Sequence, residues 1–483
     1  MSTSTASRGI AAGPDPDPAH DPGRRARRRD RWRLGAVSLV WAVSLLVAAL
    51  WVRGGGLQAI AAAFSGAPAD ALDSLGRLTG LVAAELLLLQ VLLLAGVPLF
   101  ERGFGRDGMI RAHRIVGMWS FGLLSAHIVL LVIGYGIASG ENPLLQLWDF
   151  TWNYAGMLLA VAGTLLIVLV GLTSARRARR RLRYESWHLL HLYAYLGVGL
   201  AIPHMIWTGG DFAGDALTST VWWTLWGATA AAVLWFRALR PLARSLRHRV
   251  AVDRVEADGL RGVRVVMRGR RLDRLGAAAG QFLVWRFLDG PGWTRGHPFS
   301  LAEAPTADRL VISAQLVGDG TARLTRLAPG VPVLFEGPFG AMTGEQRRGQ
   351  HLLMLGAGFG VAPLVALLQS ERYAPGEATL VTRDHEPGAA SSRAAIAELV
   401  RRRGVRHIEM NGARTRVGST WLPATHAAWN GPELLRYIAE DLDRTDVYLC
   451  GPDAWADAVA DDLRAVGVRR ERLHRESFST GGA

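Results

Sequence analysis

Four histidines in two apolar stretches are the residues with the clearest capacity for chemistry. His113 and His127 stand fourteen positions apart in the stretch containing "AHRIVGMWSFGLLSAH", and His191 and His204 stand thirteen apart in a later one. Fourteen helical residues rise ~21 Å and return to within ~40° of the starting face, so His113 and His127 point the same way. The later pair is ~140° apart on an ideal helix, and Pro203 is expected to distort the turn between them.

These histidines could be hydrogen-bonded core residues or part of a proton path, because an imidazole in an apolar segment is costly unless it is used. Two pairs with matching spacing on two segments favour cofactor ligands instead. Bis-histidine haem fits best, since a buried porphyrin iron takes one imidazole on each face. A metal transporter would gather its ligands at one level. The spacing therefore predicts two b-type haems, one towards each side of a ~30 Å membrane core.

The elements that must position the histidines are membrane spans. Six apolar runs approach or exceed the ~20 residues that cross a bilayer. They cover residues 33–53, 77–100, 109–136, 153–174, 185–207 and 219–238. Arginine-rich loops alternate with arginine-poor loops, so the positive-inside rule predicts a multi-pass cell-membrane protein with both termini in the cytoplasm.

Composition agrees with this placement. The chain has 483 residues and a net charge of +14, which would suit nucleic acid or a membrane. Its basic residues flank the apolar runs, which favours membrane lipid and argues against nucleic acid. The single cysteine, Cys450, excludes an internal disulfide framework and a cysteine-based metal site. Residues 1–32 are rich in Pro, Asp, Gly and Arg and predict a disordered basic arm.

The segment "LLMLGAGFGVAPLVALL" predicts a buried strand, a glycine loop and a helix. Gly356, Gly358 and Gly360 would let backbone amides approach a pyrophosphate at the start of the helix. A valine replaces the last glycine of the dinucleotide fingerprint, so the pattern is GxGxGxxP and ends at Pro363. This form is typical of ferredoxin-reductase nucleotide domains; the alternative is a purely structural strand–turn–helix.

The tetrapeptide "HPFS" resembles the flavin motif of the membrane ferric reductase and NADPH oxidase family. Soluble members of the ferredoxin-reductase superfamily have an arginine where His297 stands. The resemblance implies that Phe299, after Pro298, packs beside the isoalloxazine and that Ser300 hydrogen-bonds near its reactive nitrogen. Alone, the tetrapeptide is a weak signal typical of a turn before a strand.

The segment "GDGTARLTRL" resembles the second flavin element of the family. Gly318 and Gly320 allow a tight turn, and Thr321 could cap a helix whose N-terminus faces the flavin pyrophosphate. An ordinary loop and cap is the alternative. "FEGPFG" then closes a barrel-like domain in the family pattern.

The family resemblance extends to the carboxyl-terminal end of the chain. It implies that Cys450, followed by Gly451 and Pro452, lies beside the nicotinamide, although a lone buried cysteine is otherwise a small hydrophobe. It also implies that Glu476 and Phe478 cover the flavin.

Three arginines stand where the resemblance expects a clamp for a 2′-phosphate. They are Arg383, Arg414 and Arg416. Arginine suits that anion through bidentate hydrogen bonds, so NADPH is favoured over NADH. Exposed arginines are common in so arginine-rich a chain.

"HRIVG" and "YESWHLLHLYAYLG" resemble the haem domain of the same family. Its pattern W-x-x-L-H favours His191, three positions beyond His188, as the ligand. By analogy, His113 pairs with His191 near the cytoplasm, and His127 pairs with His204 near the outside.

The expected fold is multi-domain. It comprises the basic arm 1–32, an all-α six-span transmembrane haem domain 33–245, an FAD-binding β-barrel domain 246–345 and an α/β NAD(P)-binding domain 346–483. The resemblance implies electron flow from cytoplasmic NADPH through FAD and two haems to external ferric chelate or dioxygen, without an obligatory protein partner. The alternatives are a haem subunit serving a partner protein and a transporter with a regulatory nucleotide domain.

Overall fold

The computed structural model describes residues 22–477 except 180, 183, 213, 390, 417 and 440. Its first half is helical. The helices are α1 (Pro22–Arg53), α2 (Gly56–Ala62), α3 (Pro68–Leu94), α4 (Pro98–Ser139), α5 (Pro143–Asn153), α6 (Met157–Ser174), α7 (Arg176–Arg179), α8 (Tyr184–Trp207), α9 (Ala216–Val233) and α10 (Arg240–His248). A π-helical segment, Leu234–Leu239, joins α9 to α10 without a break.

Five of the described helices are long and apolar enough to cross a membrane: 29–53 in α1, all of α3, 108–139 in α4, all of α6, and 186–207 in α8. The last expected span, 219–238, is helical but falls outside this set, so the count of six is not confirmed. The second differs from the expected 77–100. It runs from Pro68 to Leu94, because Gly96 adopts a left-handed conformation and Pro98 starts the next helix.

Helices α6 and α8 cross with their backbones nearly touching. A Cβ atom placed on Gly163 would lie 2.5 Å from the carbonyl oxygen of Gly197, and one placed on Gly197 would lie 2.9 Å from that of Gly163. Small residues are enriched at such crossings because they let helices approach closely in lipid. The contact fixes α8, which carries two of the four histidines.

The chain changes from helices to strands between His248 and Ala251, close to the expected boundary at 245/246. Six strands and one short helix follow, namely β1 (Ala251–Ala257), β2 (Gly262–Arg268), β3 (Phe282–Phe287), β4 (His297–Ser300), β5 (Arg309–Gln315), α11 (Asp319–Ala322) and β6 (Val333–Phe339). They form two three-stranded antiparallel sheets, β1-β2-β5 and β4-β3-β6.

The expected closed barrel is not confirmed. Isolated bridges join Ala251 to Pro332 and Leu301 to Ile312, but the described strands form no continuous closed sheet. The two sheets instead enclose one apolar core that includes Trp285 and Phe335. Burial of these large side chains supplies the cohesion that closure would otherwise give.

The remainder is a parallel α/β unit. Its elements are β7 (His351–Ala357), α12 (Val361–Ser370), β8 (Ala378–Asp384), α13 (Arg393–Arg403), β9 (Arg406–Asn411), α14 (Gly431–Ile438), β10 (Thr445–Gly451), α15 (Asp453–Ala465) and β11 (Leu473–Ser477). The strand order is β11-β10-β7-β8-β9. The order reverses between β7 and β10, and ligands of such sheets bind beyond the carboxyl ends of the strands at that point.

Asp446 and His474 form a buried side-chain pair near the amino-terminal ends of the strands, away from the expected ligand site. Nε2 of His474 lies 2.7 Å from Oδ1 of Asp446, and Oδ2 of Asp446 accepts hydrogen bonds from the N–H groups of Arg348 and Gly349. Burial alone would raise the pKa of Asp446, but these hydrogen bonds hold it below its usual value. The carboxylate therefore joins β10 and β11 to the chain that enters β7.

We expect Asp446→Ala to lower the free energy of unfolding of the carboxyl-terminal half by about 3 kcal/mol, because it leaves a buried imidazole and two N–H groups unpaired. The folded pKa lies below the unfolded one, so the wild-type contribution is complete above about pH 4 and is lost as the pH falls through the folded pKa. Urea titration followed by circular dichroism at several pH values measures both effects.

Asp457→Ala is the control, because Asp457 is an exposed partner of Arg475. Surface pairs contribute about 0–1 kcal/mol. Equal losses for the two variants would contradict the role given to Asp446.

Candidate active site and cofactor-binding residues

The structure brings one predicted histidine pair together across two helices. His113 on α4 and His191 on α8 have ring centroids 6.0 Å apart, with their planes inclined by 60°. Two imidazoles bound to opposite sides of one metal ion have centroids ~6 Å apart, since each metal–nitrogen bond is about 2 Å. The rings are therefore spaced as two axial ligands of one iron would be. Among the described ring contacts, none joins His127 to His204.

All four histidines use Nδ1 in a hydrogen bond. Nδ1 of His113 lies 3.3 Å from the carbonyl oxygen of Gln90, and Nδ1 of His127 lies 2.8 Å from that of Gly76. Nδ1 of His204 lies 2.5 Å from the carbonyl oxygen of Ala201. A carbonyl oxygen only accepts, so these three rings carry their proton on Nδ1 and keep the Nε2 lone pair for a ligand.

His191 is held differently, by a side chain. Its Nδ1 lies 3.2 Å from Oγ of Ser174 on α6, and the indole N–H of Trp187 donates to the same oxygen at 3.4 Å. The Trp187 ring also packs on His191 with centroids 5.0 Å apart. His188 is exposed instead. The geometry thus favours His191, as the W-x-x-L-H pattern does.

Helix α3 supports both histidines of α4. A Cβ atom on Gly80 would lie 2.5 Å from Nδ1 of His127, so glycine lets the imidazole lie against the helix. One end of α3 supplies the Gly76 carbonyl to His127, and the other supplies the Gln90 carbonyl to His113. Metal-bound histidines commonly donate their second nitrogen to such a carbonyl.

Sequence reasoning did not identify the partners of these histidines or a buried charge network beside them. Arg77 lies 3.3 Å from Asp73 within α3 and 3.3 Å from Asp211 in the loop before α9. Burial raises the pKa of Asp211, and the charge of Arg77 partly offsets this. Polar residues inside apolar runs, such as Arg77, Gln90 and Ser174, were the available signal, since lipid-embedded polar groups are costly.

The HPFS tetrapeptide forms strand β4, paired with β3. The rings of His297 and Phe299 stack on one face, with centroids 6.0 Å apart. Ser300 points to the other face. It is 6% exposed, and its Oγ has no hydrogen-bond partner among the described residues. A buried hydroxyl without a partner is costly, so it fits a site that a ligand completes, as the resemblance implies for a flavin.

Gly320 lies against the same strand: a Cβ atom there would be 3.1 Å from Cε1 of His297. The two predicted flavin elements are therefore adjacent. A small pocket lies between them, lined by residues that include His297, Arg323 and Asp289. Burial, followed by the charge of Arg323, lowers the pKa of His297 and favours its neutral form.

Thr321 differs from expectation. It does not precede α11 as a cap but lies inside it, after Gly318 at the N-cap position. Its hydroxyl accepts hydrogen bonds from the N–H groups of Val317 at 3.0 Å and Gly318 at 3.3 Å. It therefore ties the turn to the helix from within.

The glycine loop follows β7 as predicted, with Gly358 at φ +56° and α12 starting at Val361. A Cβ atom on Gly360 would collide with the carbonyl group of Cys450. The loop therefore lies directly against the Cys450-Gly451 turn at the reversal point of the sheet. Pro363 is buried in the first turn of α12.

Cys450 is fully buried, and this burial raises the pKa of its thiol. It is paired in register with Gly356 on one side and with Glu476 on the other. Pro452 begins the turn into α15. A neutral, enclosed thiol can shape the site by contact but is a poor nucleophile.

Glu476 on β11 reaches the flavin-side sheet. A Cβ atom on Gly340 would lie 2.7 Å from Oε1 of Glu476. The carboxylate thus stands between the nucleotide sheet and the end of β6, as the resemblance implies. Phe478 lies outside the described residues.

Arg383 is not an open clamp. It is 7% exposed, and its guanidinium donates to the carbonyl oxygens of Trp421, Asp384 and Gly412. These bonds brace the loop after β8. The neighbouring Asp384 is also half-buried, and burial raises its pKa to about 6. Arg414 and Arg416 are exposed at the same edge.

The fold and these sites describe a membrane protein whose carboxyl-terminal half carries a glycine loop suited to a nucleotide. Residues 79–202 match the family described as Ferric reductase like transmembrane component. The matched segment contains His113, His127 and His191. It ends two positions before His204.

Curated relatives match parts of the chain. The superoxide-generating NADPH oxidase heavy chain of Dictyostelium discoideum is 26% identical over 43% of this chain and 41% of its own length. The protein-methionine-sulfoxide reductase heme-binding subunit MsrQ of Cronobacter sakazakii is 27% identical over 29% of this chain and 66% of its own length. The chain thus spans about four-tenths to two-thirds of these relatives.

Among solved structures, the FAD/NAD-binding domain of the Vibrio cholerae nitric oxide dioxygenase is 18% identical, covering 48% of this chain and 99% of that chain. Its TM-score is 0.38. The strand order and motifs, and not this likeness, define the fold of the carboxyl-terminal half.

These findings confirm the expected resemblance to the ferric reductase and NADPH oxidase family. They also agree with the expected class, because the relatives that match are oxidoreductases or subunits of them. The structure and these likenesses together describe a membrane protein with an α/β carboxyl-terminal unit.

Ser300→Ala should weaken flavin binding about fivefold, because one net hydrogen bond contributes about 1 kcal/mol. It should leave the stability of the flavin-free protein unchanged or raise it slightly, since the hydroxyl bonds to no described residue and its burial without a partner is costly. Flavin fluorescence titration and thermal unfolding measure the two quantities.

Ser313→Ala is the matched control. Ser313 is equally buried, but its hydroxyl donates to Asp258. This variant should lose stability and keep its flavin affinity. Wild-type flavin affinity in Ser300→Ala would remove Ser300 from the site.

Proposed function

We propose that the chain is a transmembrane flavocytochrome that moves electrons from cytoplasmic NADPH to an acceptor outside the cell membrane. The observation that carries the proposal is the arrangement of His113 and His191, with ring centroids 6.0 Å apart and Nδ1 of both already hydrogen-bonded. Histidines that only filled the apolar core would not require their rings to be held at this separation. When bound, FAD and two b-type haems would supply hydride uptake and single-electron transfer.

The residues of the cytoplasmic half bind and align the reactants. The N–H groups of the Gly356–Gly360 loop and the start of α12 suit a pyrophosphate. The backbone of Cys450 packs against this loop, and the carboxylate of Glu476 lies between the Cys450 turn and β6. Ser300 offers an unused hydroxyl to the flavin. Arg414 and Arg416 favour a 2′-phosphate, whereas Arg383 braces the loop that presents them.

The residues of the membrane half would hold two irons at different depths. His113 and His191 form the cytoplasmic pair, and His127 and His204 the external pair. The same orientation, with both termini in the cytoplasm, follows from the arginine-rich loops. The proposed domain limits remain 33–245 for the membrane half, with α9 as the sixth span, and 246–345 and 346–483 for the two cytoplasmic parts.

Ferric chelate and dioxygen are the two acceptors proposed, without an obligatory protein partner. A second candidate is a haem-bearing subunit that exchanges electrons with a partner protein. The likeness to a relative named as a heme-binding subunit favours it. The two proposals differ in whether the purified chain alone oxidises NADPH.

The purified protein should show a low-spin b-type spectrum with about two haems per chain, since four ligands serve two irons. Anaerobic NADPH should reduce both haems, and external ferric chelate or oxygen should then reoxidise them. A reduced-minus-oxidised spectrum records each step. NADPH without effect on a haem-replete, flavin-replete protein would favour the subunit proposal, and a chain without haem would overturn both.

His191→Ala should remove about half of the haem, because one iron loses an axial ligand and the other keeps both. His188→Ala is the control, since His188 is exposed and lies on the same helix. It should keep the full haem content. Haem content per chain is measured from the pyridine haemochrome spectrum. Equal values for the two variants would contradict the assignment of His191.

A further inference from the structure

The last membrane helix continues into the flavin-side domain. Helix α9, the π-helical segment and α10 form one uninterrupted helix, and α10 packs on strand β6. A π turn rotates the residues that follow it relative to those before, and such turns are frequent at functional sites. The segment thereby sets which face of α10 meets β6.

The contact between α10 and β6 is specific. Ser245 is 4% exposed, and its Oγ accepts a hydrogen bond from the N–H of Phe335 at 3.1 Å. His248 is also buried, with Nδ1 2.9 Å from the carbonyl oxygen of Arg270. Outside these, Glu336 pairs with Arg286 at 2.6 Å and Arg237 at 3.5 Å. These bonds hold α10 in one position on the domain.

Arg244 reaches furthest towards the proposed flavin site. Its Nη1 donates to the carbonyl oxygen of Gly337 at 2.7 Å. Two residues on, Phe339 stands opposite Phe282, and Phe282 stands opposite Ser300 on the next strand. Arg244 therefore holds β6 at Gly337, two residues before Phe339. Phe339 belongs to the cross-strand row that also contains Phe282 and Ser300.

Arg244 is also tied to the helical half, because α10 continues α9 and the π-helical segment without a break. Helix α9 packs against α3, and α3 supplies the carbonyl that holds His113. One continuous helix therefore joins the support of the inner histidine to the strand that Arg244 holds.

We propose that Arg244 is a positioning residue that fixes the flavin relative to the inner haem. The inference rests on the proposed function. Bound flavin and haem would exchange single electrons here, each one lost by the flavin and gained by the haem iron. Arg244 would set their separation by holding β6 on α10, and a small displacement of β6 would slow the exchange. Hydride transfer from NADPH to flavin would lie within the cytoplasmic half and would not depend on this link.

Arg244→Met tests the proposal, because methionine keeps much of the length and loses the charge and both donor groups. Anaerobic stopped-flow mixing with NADPH separates flavin reduction from haem reduction. We expect haem reduction to slow about tenfold or more, with flavin reduction, flavin content and the haem spectrum as in the wild type. Arg244→Lys keeps the charge and one donor and should recover part of the rate.

Arg247→Met is the matched control, since Arg247 is exposed on the same helix. It should leave both rates unchanged.

Unchanged haem reduction in Arg244→Met would overturn the inference, as would loss of flavin or haem from that variant. If wild-type protein with full flavin and haem shows no haem reduction by NADPH, the proposed function itself falls. The two failures are therefore distinguished by the wild-type trace.

Discussion

The structure depends on how an imidazole is satisfied inside an apolar helix bundle. Water is absent there, so each ring nitrogen must find a partner in the protein or in a ligand. The Nδ1–H groups of three rings donate hydrogen bonds to the carbonyl groups of Gln90, Gly76 and Ala201. The fourth ring, His191, bonds to the hydroxyl of Ser174. This requires α3 to lie against α4 and α6 against α8. The same hydrogen bonds therefore determine which helices pack together and where the second nitrogen of each ring points.

The carboxyl-terminal half obeys a second constraint, the reversal of strand order between β7 and β10. There the glycine loop, the Cys450 turn and Glu476 meet through backbone contacts and strand register. Ser300 approaches from the other domain on an edge strand. The residues of this site are spread along the chain from Ser300 to Glu476, and the two packed sheets bring them together.

Much of this arrangement was readable from local pattern. The histidine spacing, the glycine loop and the preference for His191 depend on helical or strand periodicity, which acts over a few residues. Other features depend on tertiary contacts that no short pattern encodes. The expected barrel is two bridged sheets, Thr321 lies within α11, and Arg383 turns inward to three carbonyl groups. Gln90 and Ser174 were visible as polar residues in apolar runs, but their partners were not.

The crossing at Gly163 and Gly197 has a consequence for charge movement. Where two backbones touch, there are no side chains between them to adopt new rotamers. Ser174 and His191, on the two helices of that crossing, therefore stay in register whatever charge develops beside them. A bundle built in this way has little freedom to rearrange its helices. For the electron transfer proposed above, this rigidity would keep the reorganisation energy low.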